Sequence, residues 1–173
     1  GVLVCVTGVA GSGKSSLIHG VLCKAHPDAI VIDQSAIGRS SRSNPVTYLG
    51  IFDLIRKEFA RATNTDPSLF SFNSKGACPK CKGLGIVKME MHFLDDVAMV
   101  CDECNGLRYR PEVLALRYKN RTISDILNVP IGDAAEFFES PEIRRKLGVL
   151  TLVGLDYLRV GQPLSTLSGG EAQ

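Results

Sequence analysis

Long apolar runs are missing. Nothing in the 173 residues approaches the roughly 20 consecutive apolar positions needed to cross a bilayer, and mean hydropathy is close to zero at +0.10. A transmembrane segment, and a membrane role built on one, is therefore not expected. Nor do these residues read as a secretory leader. The apolar start, GVLVCVTG, has no basic region and no small-residue cleavage site, and it runs directly into a glycine-rich loop. Charge of one sign is scarce: 20 Lys/Arg against 18 Asp/Glu leave +2, too balanced to announce a nucleic-acid binder by itself. No internal repeat and no low-complexity tract stands out. Six cysteines without a secretory context point away from disulfides and toward metal binding, in a reducing, cytoplasmic setting.

What is present suits a compact domain, or a core with a small module, at 45% hydrophobic residues. Val2–Thr7 is β-branched and apolar and ends in glycine, so it reads as a buried central strand, with Cys5 as a small core residue. A helix is expected over Lys14–Leu22, a second buried strand over Ala29–Asp33 (AIVID), and a polar loop from Gln34 to Pro45. Leu49, Phe52, Ile55 and Phe59 recur at helical spacing, which predicts one amphipathic helix from about Val46 to Ala62. Val87, Met89, Met91 and Phe93 alternate with polar residues, the period of a strand, on which His92 reads as a surface residue. Ser140-Pro141-Glu142 is a helix start, with Ser as N-cap and Pro in the first turn. Residue 1 stands almost inside the first strand and Gln173 only one turn into a helix, so the chain reads as a fragment or part of a larger one.

Gly8-Val-Ala-Gly-Ser-Gly13-Lys14-Ser15 matches G-x-x-x-x-G-K-[ST] between an expected strand and an expected helix, the context a phosphate loop requires. Glycines let successive N–H groups face phosphate oxygens, and the following helix adds its N-terminal donors. Lys14 suits the β- and γ-phosphates, and the Ser15 hydroxyl suits Mg²⁺. At the other end, Leu167-Ser-Gly-Gly-Glu171 fits a capping box with Leu167 as hydrophobic staple, again a glycine-rich helix start with N–H groups free for an anion. Between them, Cys78-x₂-Cys81 and Cys101-x₂-Cys104, 19 residues apart, can place four thiolates on a tetrahedron, the geometry of a closed structural Zn²⁺ site. Residues 74–121 hold nine Lys/Arg and six Asp/Glu, an excess that four thiolates around a dication largely cancel. Lys75, Lys80, Lys82, Lys88, Arg108 and Arg110 offer cations for DNA phosphates; a purely structural clip is the alternative, and charge alone does not separate the two.

The C-terminal LSGGEAQ resembles the signature of ABC-type ATPases. The full order of phosphate loop, DQSAIGRSSRSNPVTY, FSFNSKGACPKCKGLG, VKMEMHFL, the cysteine quartet and LSTLSGGEAQ closely resembles the UvrA family, the ATPase subunit of excinuclease ABC, over nearly the whole chain. The resemblance implies an α/β fold: an ABC-type P-loop NTPase core (residues 1–73), an inserted four-cysteine zinc module (74–121) and a helical signature region (122–173), all from the second nucleotide-binding domain. It implies that Gly8, Gly11, Ser12, Gly13, Lys14, Ser15 and Ser16 hold ATP with Mg²⁺ at Ser15. Gln34 becomes the Q-loop residue, catalytic with Lys14. Ser168, Gly169, Gly170 and Glu171 serve a partner domain's nucleotide, and Cys78, Cys81, Cys101 and Cys104 hold zinc.

It implies further a bacterial, cytoplasmic, homodimeric repair ATPase without a membrane. Such a protein binds double-stranded DNA, damaged DNA above all, loads UvrB and works with the first nucleotide-binding domain of its own chain. A UvrA-like drug-resistance ATPase is the alternative, and an ABC transporter ATPase a weaker one. Two departures from the family stand out. The Val21–Asp28 connection is shorter than usual, and the Walker B carboxylates and switch histidine are absent from these residues, so poor ATP turnover by this fragment is expected.

Overall fold

The computed structural model describes residues 1–9, 11–31, 42–89 and 97–172. They fall into two compact units, Gly1–Ser35 and Ala36–Ala172.

In the first unit the apolar start does not find what a strand needs. Backbone N–H and C=O groups must be paired before they can be buried, and among the described residues none forms a ladder with Val2–Thr7. Val2 is 89% and Leu3 97% exposed, and Cys5 is exposed as well, so the expected buried strand and core cysteine are both overturned here. Ile30 is 90% exposed, and no strand forms over residues 29–31; the rest of AIVID lies outside the described residues. β-propensity expresses a fit to neighbouring strands more than a backbone preference, and here no such neighbours are described. The helix after the glycine loop does form. It is wound as a π-helix over Ser16–Leu22 and continues as α1 (Cys23–Ala25).

The second unit begins with a capping box. The Asn44 side chain accepts from the Thr47 N–H, and the Thr47 hydroxyl accepts from the Asn44 N–H, both at 2.9 Å, which starts α2 (Pro45–Tyr48). The single helix expected from Val46 to Ala62 is in fact two. Gly50 takes φ +64°, a left-handed turn that ends the first, and α3 (Phe52–Thr63) begins two residues later and runs until Asn64, itself left-handed at φ 51°. A 3₁₀ turn, Pro67–Phe70, follows. β1 (Ile86–Met89) pairs antiparallel with β2 (Val97–Val100), in register from Ile86↔Val100 to Met89↔Val97; His92 lies outside the described residues. Helices α4 (Pro111–Leu114), α5 (Ile123–Asn128), α6 (Ile131–Phe137), α7 (Pro141–Leu152) and α8 (Gly169–Ala172) complete the unit. α7 starts where expected, with Pro141 in its first turn, although the Ser140 hydroxyl makes no capping bond.

One aromatic and aliphatic core joins α2 to α7 and the Pro67–Phe70 turn. Phe59 of α3 meets Phe70 at 5.3 Å and Tyr118 at 5.4 Å, and Phe52 meets Phe72 at 5.0 Å. Ile123, Ile126, Ile131, Phe138, Ile143 and Leu147 close it from the helical side. Tyr109 is fully buried, and its hydroxyl donates to the Phe70 carbonyl at 3.0 Å, which satisfies the one polar atom it carries inward.

The cysteine-bearing segment is docked on this core backbone to backbone. A Cβ on Gly76 would stand 1.6 Å from the Leu69 carbonyl oxygen, and one on Gly83 would stand 1.8 Å from that of Phe72. Arg42 clamps the same junction, its Nη1 donating to Asn73 Oδ1 at 2.9 Å and to the Lys82 carbonyl at 2.7 Å. Gly83 also has φ +80°. Gly83→Ala is therefore expected to lower stability by roughly 2–4 kcal/mol, from overpacking plus left-handed strain. Gly148→Ala, in the interior of α7 with open space around its Cα, should instead raise it by about 0.5–1 kcal/mol. Urea unfolding followed by circular dichroism measures both.

Candidate metal centre and phosphate loop

The two cysteine pairs sit on turns that are near copies of each other. Cys78-Pro-Lys-Cys81-Lys-Gly-Leu-Gly85 and Cys101-Asp-Glu-Cys104-Asn-Gly-Leu-Arg108 share Cys, Gly and Leu at matching places. This short repeat was open to view in the sequence; a scan for whole repeated domains passes over it. Their backbones match as well. Lys82, Gly83 and Gly85 have φ of 50°, 80° and 78°, and Asn105, Gly106 and Arg108 have 49°, 82° and 71°. Leu84 N–H donates to the Cys81 carbonyl at 3.0 Å, as Leu107 N–H does to Cys104 at 2.8 Å. The turns are also cross-linked reciprocally: Cys78 N–H donates to the Arg108 carbonyl at 2.9 Å and Cys101 N–H to the Gly85 carbonyl at 3.0 Å.

This pseudo-twofold brings all four expected sulfurs together. Each cysteine is buried, and the four Sγ atoms lie within 4.8 Å of one another. Cys78 and Cys101 are 3.9 Å apart, Cys81 and Cys104 3.6 Å. A tetrahedron with metal–sulfur bonds of about 2.3 Å has edges of about 3.8 Å, so the donor set fits a thiophilic cation in closed coordination. Without a cation the site is electrostatically divided. Burial pushes the Cys104 thiol up to about 12 and raises Cys78 as well, while the Cys104 N–H helps hold Cys101 at about 7. A bound dication favours the thiolate at every position. Gly85 N–H donates to Cys81 Sγ at 3.2 Å, a second layer of support for one ligand. Across the surface of the centre, Lys80 pairs with both carboxylate oxygens of Asp102 at 2.6 and 2.7 Å, linking the two turns.

The phosphate loop has the conformation its glycines allow. Gly11 and Gly13 stand at φ +79° and +84°, and a Cβ at either would touch nothing, so the need for glycine there is conformational and not a matter of space. Lys14 curls back over the loop. Its ammonium donates to the carbonyls of Gly8 and Val9, both at 2.7 Å, and approaches Ser12 Oγ at 3.4 Å. Ser15 and Ser16 are exposed, with no side-chain capping bond at Ser15. Gln34 lies outside the described residues.

At the signature, Ser168 N–H donates to Glu171 Oε2 at 2.6 Å and Glu171 N–H to Ser168 Oγ at 3.4 Å, the reciprocal bonds of the expected capping box. Leu167 packs at the edge of the core. The other Glu171 oxygen accepts from the Tyr157 hydroxyl at 2.5 Å, which holds this exposed carboxyl below its usual range. Glu171 is thus committed to its own helix start, while Gly169 and Gly170 remain exposed.

A glycine phosphate loop, a capped diglycine signature and a four-sulfur centre together define a segment of an ABC-type nucleotide-binding protein. No family model matches the chain. Over its whole length it is 46% identical to the UvrABC system protein A of Methanothermobacter thermautotrophicus and to that of Aquifex aeolicus, and 47% identical to that of Vibrio cholerae. The crystal structure of UvrA2 from Deinococcus radiodurans superposes on 95% of the chain with a TM-score of 0.83 at 40% identity. The chain is a segment of the UvrA family. It spans about a fifth of the length of these relatives, 21–22%, and 23% of the solved chain. The first two alignments run over 203 positions against 173 residues here, so the relatives carry residues within this stretch that the chain lacks.

Elemental analysis of protein purified without chelator should find about one metal ion per chain. Cys104→Ser should bring that ratio close to zero, while Cys5→Ser leaves it unchanged. Acid should release the metal, because protons compete for the thiolates as pH falls.

Proposed function

We propose that this chain is the ATP-binding part of a DNA-damage-recognition ATPase of nucleotide excision repair. The observation that carries the reading is similarity to UvrA over the whole chain, with the phosphate loop, the sulfur centre and the signature all intact in it. In this reading Gly8, Gly11, Ser12, Gly13, Lys14, Ser15 and Ser16 hold ATP, and Ser15 carries Mg²⁺. The phosphate oxygens take over the Lys14 ammonium from the Gly8 and Val9 carbonyls. Gln34 senses the γ-phosphate, and Ser168, Gly169 and Gly170 present N–H groups to a nucleotide held by another domain. Glu171 shapes that helix start more than it touches the ligand. The four cysteines hold Zn²⁺, whose chemistry here is structural. Residues 1–73, 74–121 and 122–173 act as nucleotide, zinc and signature regions of a homodimeric, cytoplasmic bacterial protein. That protein binds damaged duplex DNA, loads UvrB and pairs this region with the first nucleotide-binding domain of its own chain.

A second reading, a UvrA-like ATPase that protects DNA from a bound drug, is favoured by the residues the chain lacks relative to the UvrA proteins it matches. It keeps the same site and changes the lesion.

The deciding experiment measures binding of the full-length protein to lesion-bearing and intact duplex, with and without ATP, at stated salt. Tighter, ATP-dependent binding of the lesion duplex is expected, and preference confined to drug-adducted DNA would select the second reading. Equal affinity for every duplex under every nucleotide condition would remove damage recognition. Lys14→Ala should reduce steady-state ATP hydrolysis by about 10²-fold or more, the usual loss when a charge-stabilising donor is removed.

A further inference from the structure

The second turn of the sulfur centre departs from the first at its last position. Where Gly85 closes the first turn, Arg108 closes the second in the same left-handed conformation, at φ +71°. A residue with a Cβ costs roughly 1–2 kcal/mol there, and a structural clip would be served as well by glycine. The side chain is half-buried, lies 5.7 Å from the Phe72 ring centroid, and enters a cavity of about 370 Å³. Arg159 lines the same cavity, with Asn128, Gln162, Leu127 and Pro163; among the described residues no carboxylate does.

Among the described residues, no ion pair engages either guanidinium. Arg159 is held in place by its backbone. It bridges Pro130, and the turn after it is fastened by Val160 N–H to the Val129 carbonyl at 3.0 Å and Gly161 N–H to that of Leu127 at 2.7 Å. The packing there is tight, since a Cβ on Gly161 would stand 2.8 Å from that of Leu127. Two guanidiniums, each a planar fork of N–H donors, thus share a concave polar site that no carboxylate lines among the described residues. Asn128 and Gln162 add amide groups of their own to its lining.

We propose that Arg108 and Arg159 form a phosphate-binding pocket, whose ligand is a phosphodiester of duplex DNA or the phosphate of a free nucleotide. The DNA source rests on the function proposed above; the pocket itself does not. Its walls come from the second cysteine turn, the end of α5 and the segment that leads into the signature, where Gln162 Nε2 donates to Thr166 Oγ1 at 3.3 Å. A phosphate held there meets Arg108 and Arg159 together.

The test uses the full-length protein with Arg159→Gln, Arg159→Lys and Arg108→Asn, the last because asparagine tolerates a left-handed backbone. In one arm, duplex affinity is measured across a salt series. With the diester as ligand, Arg159→Gln should weaken lesion-bearing and intact duplex alike, by about tenfold, and reduce the slope of log affinity against log salt by about one. Arg159→Lys should keep that slope, and Arg108→Asn should lower it as Arg159→Gln does. In the other arm, binding of inorganic phosphate and ATP is measured in a Lys14→Ala background. A loss confined to this arm assigns the pocket to free phosphate or nucleotide. Unchanged binding in both arms, with the thermal midpoint of Arg159→Gln unaltered, overturns the pocket. In that case duplex binding by the unsubstituted protein leaves the DNA reading standing. Failure of the unsubstituted protein to bind duplex overturns the DNA reading instead, and the second arm still decides the pocket.

Discussion

Four buried sulfur atoms within 4.8 Å of one another are the constraint on which the second unit turns. Thiols in so small a space ionise at very different pH values, from about 7 at Cys101 to about 12 at Cys104. A bound dication would remove that conflict by favouring the thiolate at all four positions. Everything nearby serves to hold the sulfurs at that spacing. The left-handed glycines free the backbone of each turn, the reciprocal N–H bonds lock one turn to the other, and Lys80 and Asp102 tie them across the surface. The glycine contacts at Gly76 and Gly83 then bring the centre so close to the Leu69–Phe72 backbone that no side chain fits between. Metal binding and packing of the aromatic core are therefore one problem: a shift of the Phe72 carbonyl moves Gly83, and Gly83 sits two residues after a ligand.

What could be read in advance follows the range of the interactions involved. The paired cysteine turns, the helix start at Pro141 and the capping box at Ser168 each depend on residues a few positions apart, and the structure forms each of them. The helix expected from Val46 to Ala62 fails at Gly50 because apolar spacing reports burial and is blind to a single left-handed turn. Val2–Thr7 and Ala29–Val31 fail for the opposite reason. Their composition states a demand for burial that only distant segments can meet, and among the described residues nothing meets it. Cys5 follows its segment into solvent. The twin cysteine turns were legible but small, eight residues each, and Arg159 carried no signal because its meaning comes from a neighbour 51 positions earlier in the chain, Arg108.

The phosphate loop and the signature solve one physical problem with different means of self-satisfaction. Each is a helix start with donors in excess, and each is built so that part of its polar machinery is occupied internally. Lys14 rests on the Gly8 and Val9 carbonyls, contacts that a phosphate can replace because they are exposed and hold no other element in place. Glu171 is bound more firmly, to Ser168 on one side and to Tyr157 on the other, so it fixes the geometry of the two glycines behind it. The lysine is the exchangeable group, and the glutamate is the fixed one.

The two cysteine turns also act as an internal control on each other. They share their ligands, their hydrogen bonds and three left-handed positions, so a difference between them is not required by the metal. Gly85 meets the conformational demand at no steric cost. Arg108 meets the same demand against its own preference, and its guanidinium lines a cavity that a second arginine also lines and, among the described residues, no carboxylate does. Strain at one member of a near-identical pair marks the place where a requirement other than folding has entered. The charge of the pocket names the chemistry of that requirement. An anion with several acceptor oxygens satisfies two guanidinium forks at once, and a phosphate does so whichever molecule carries it.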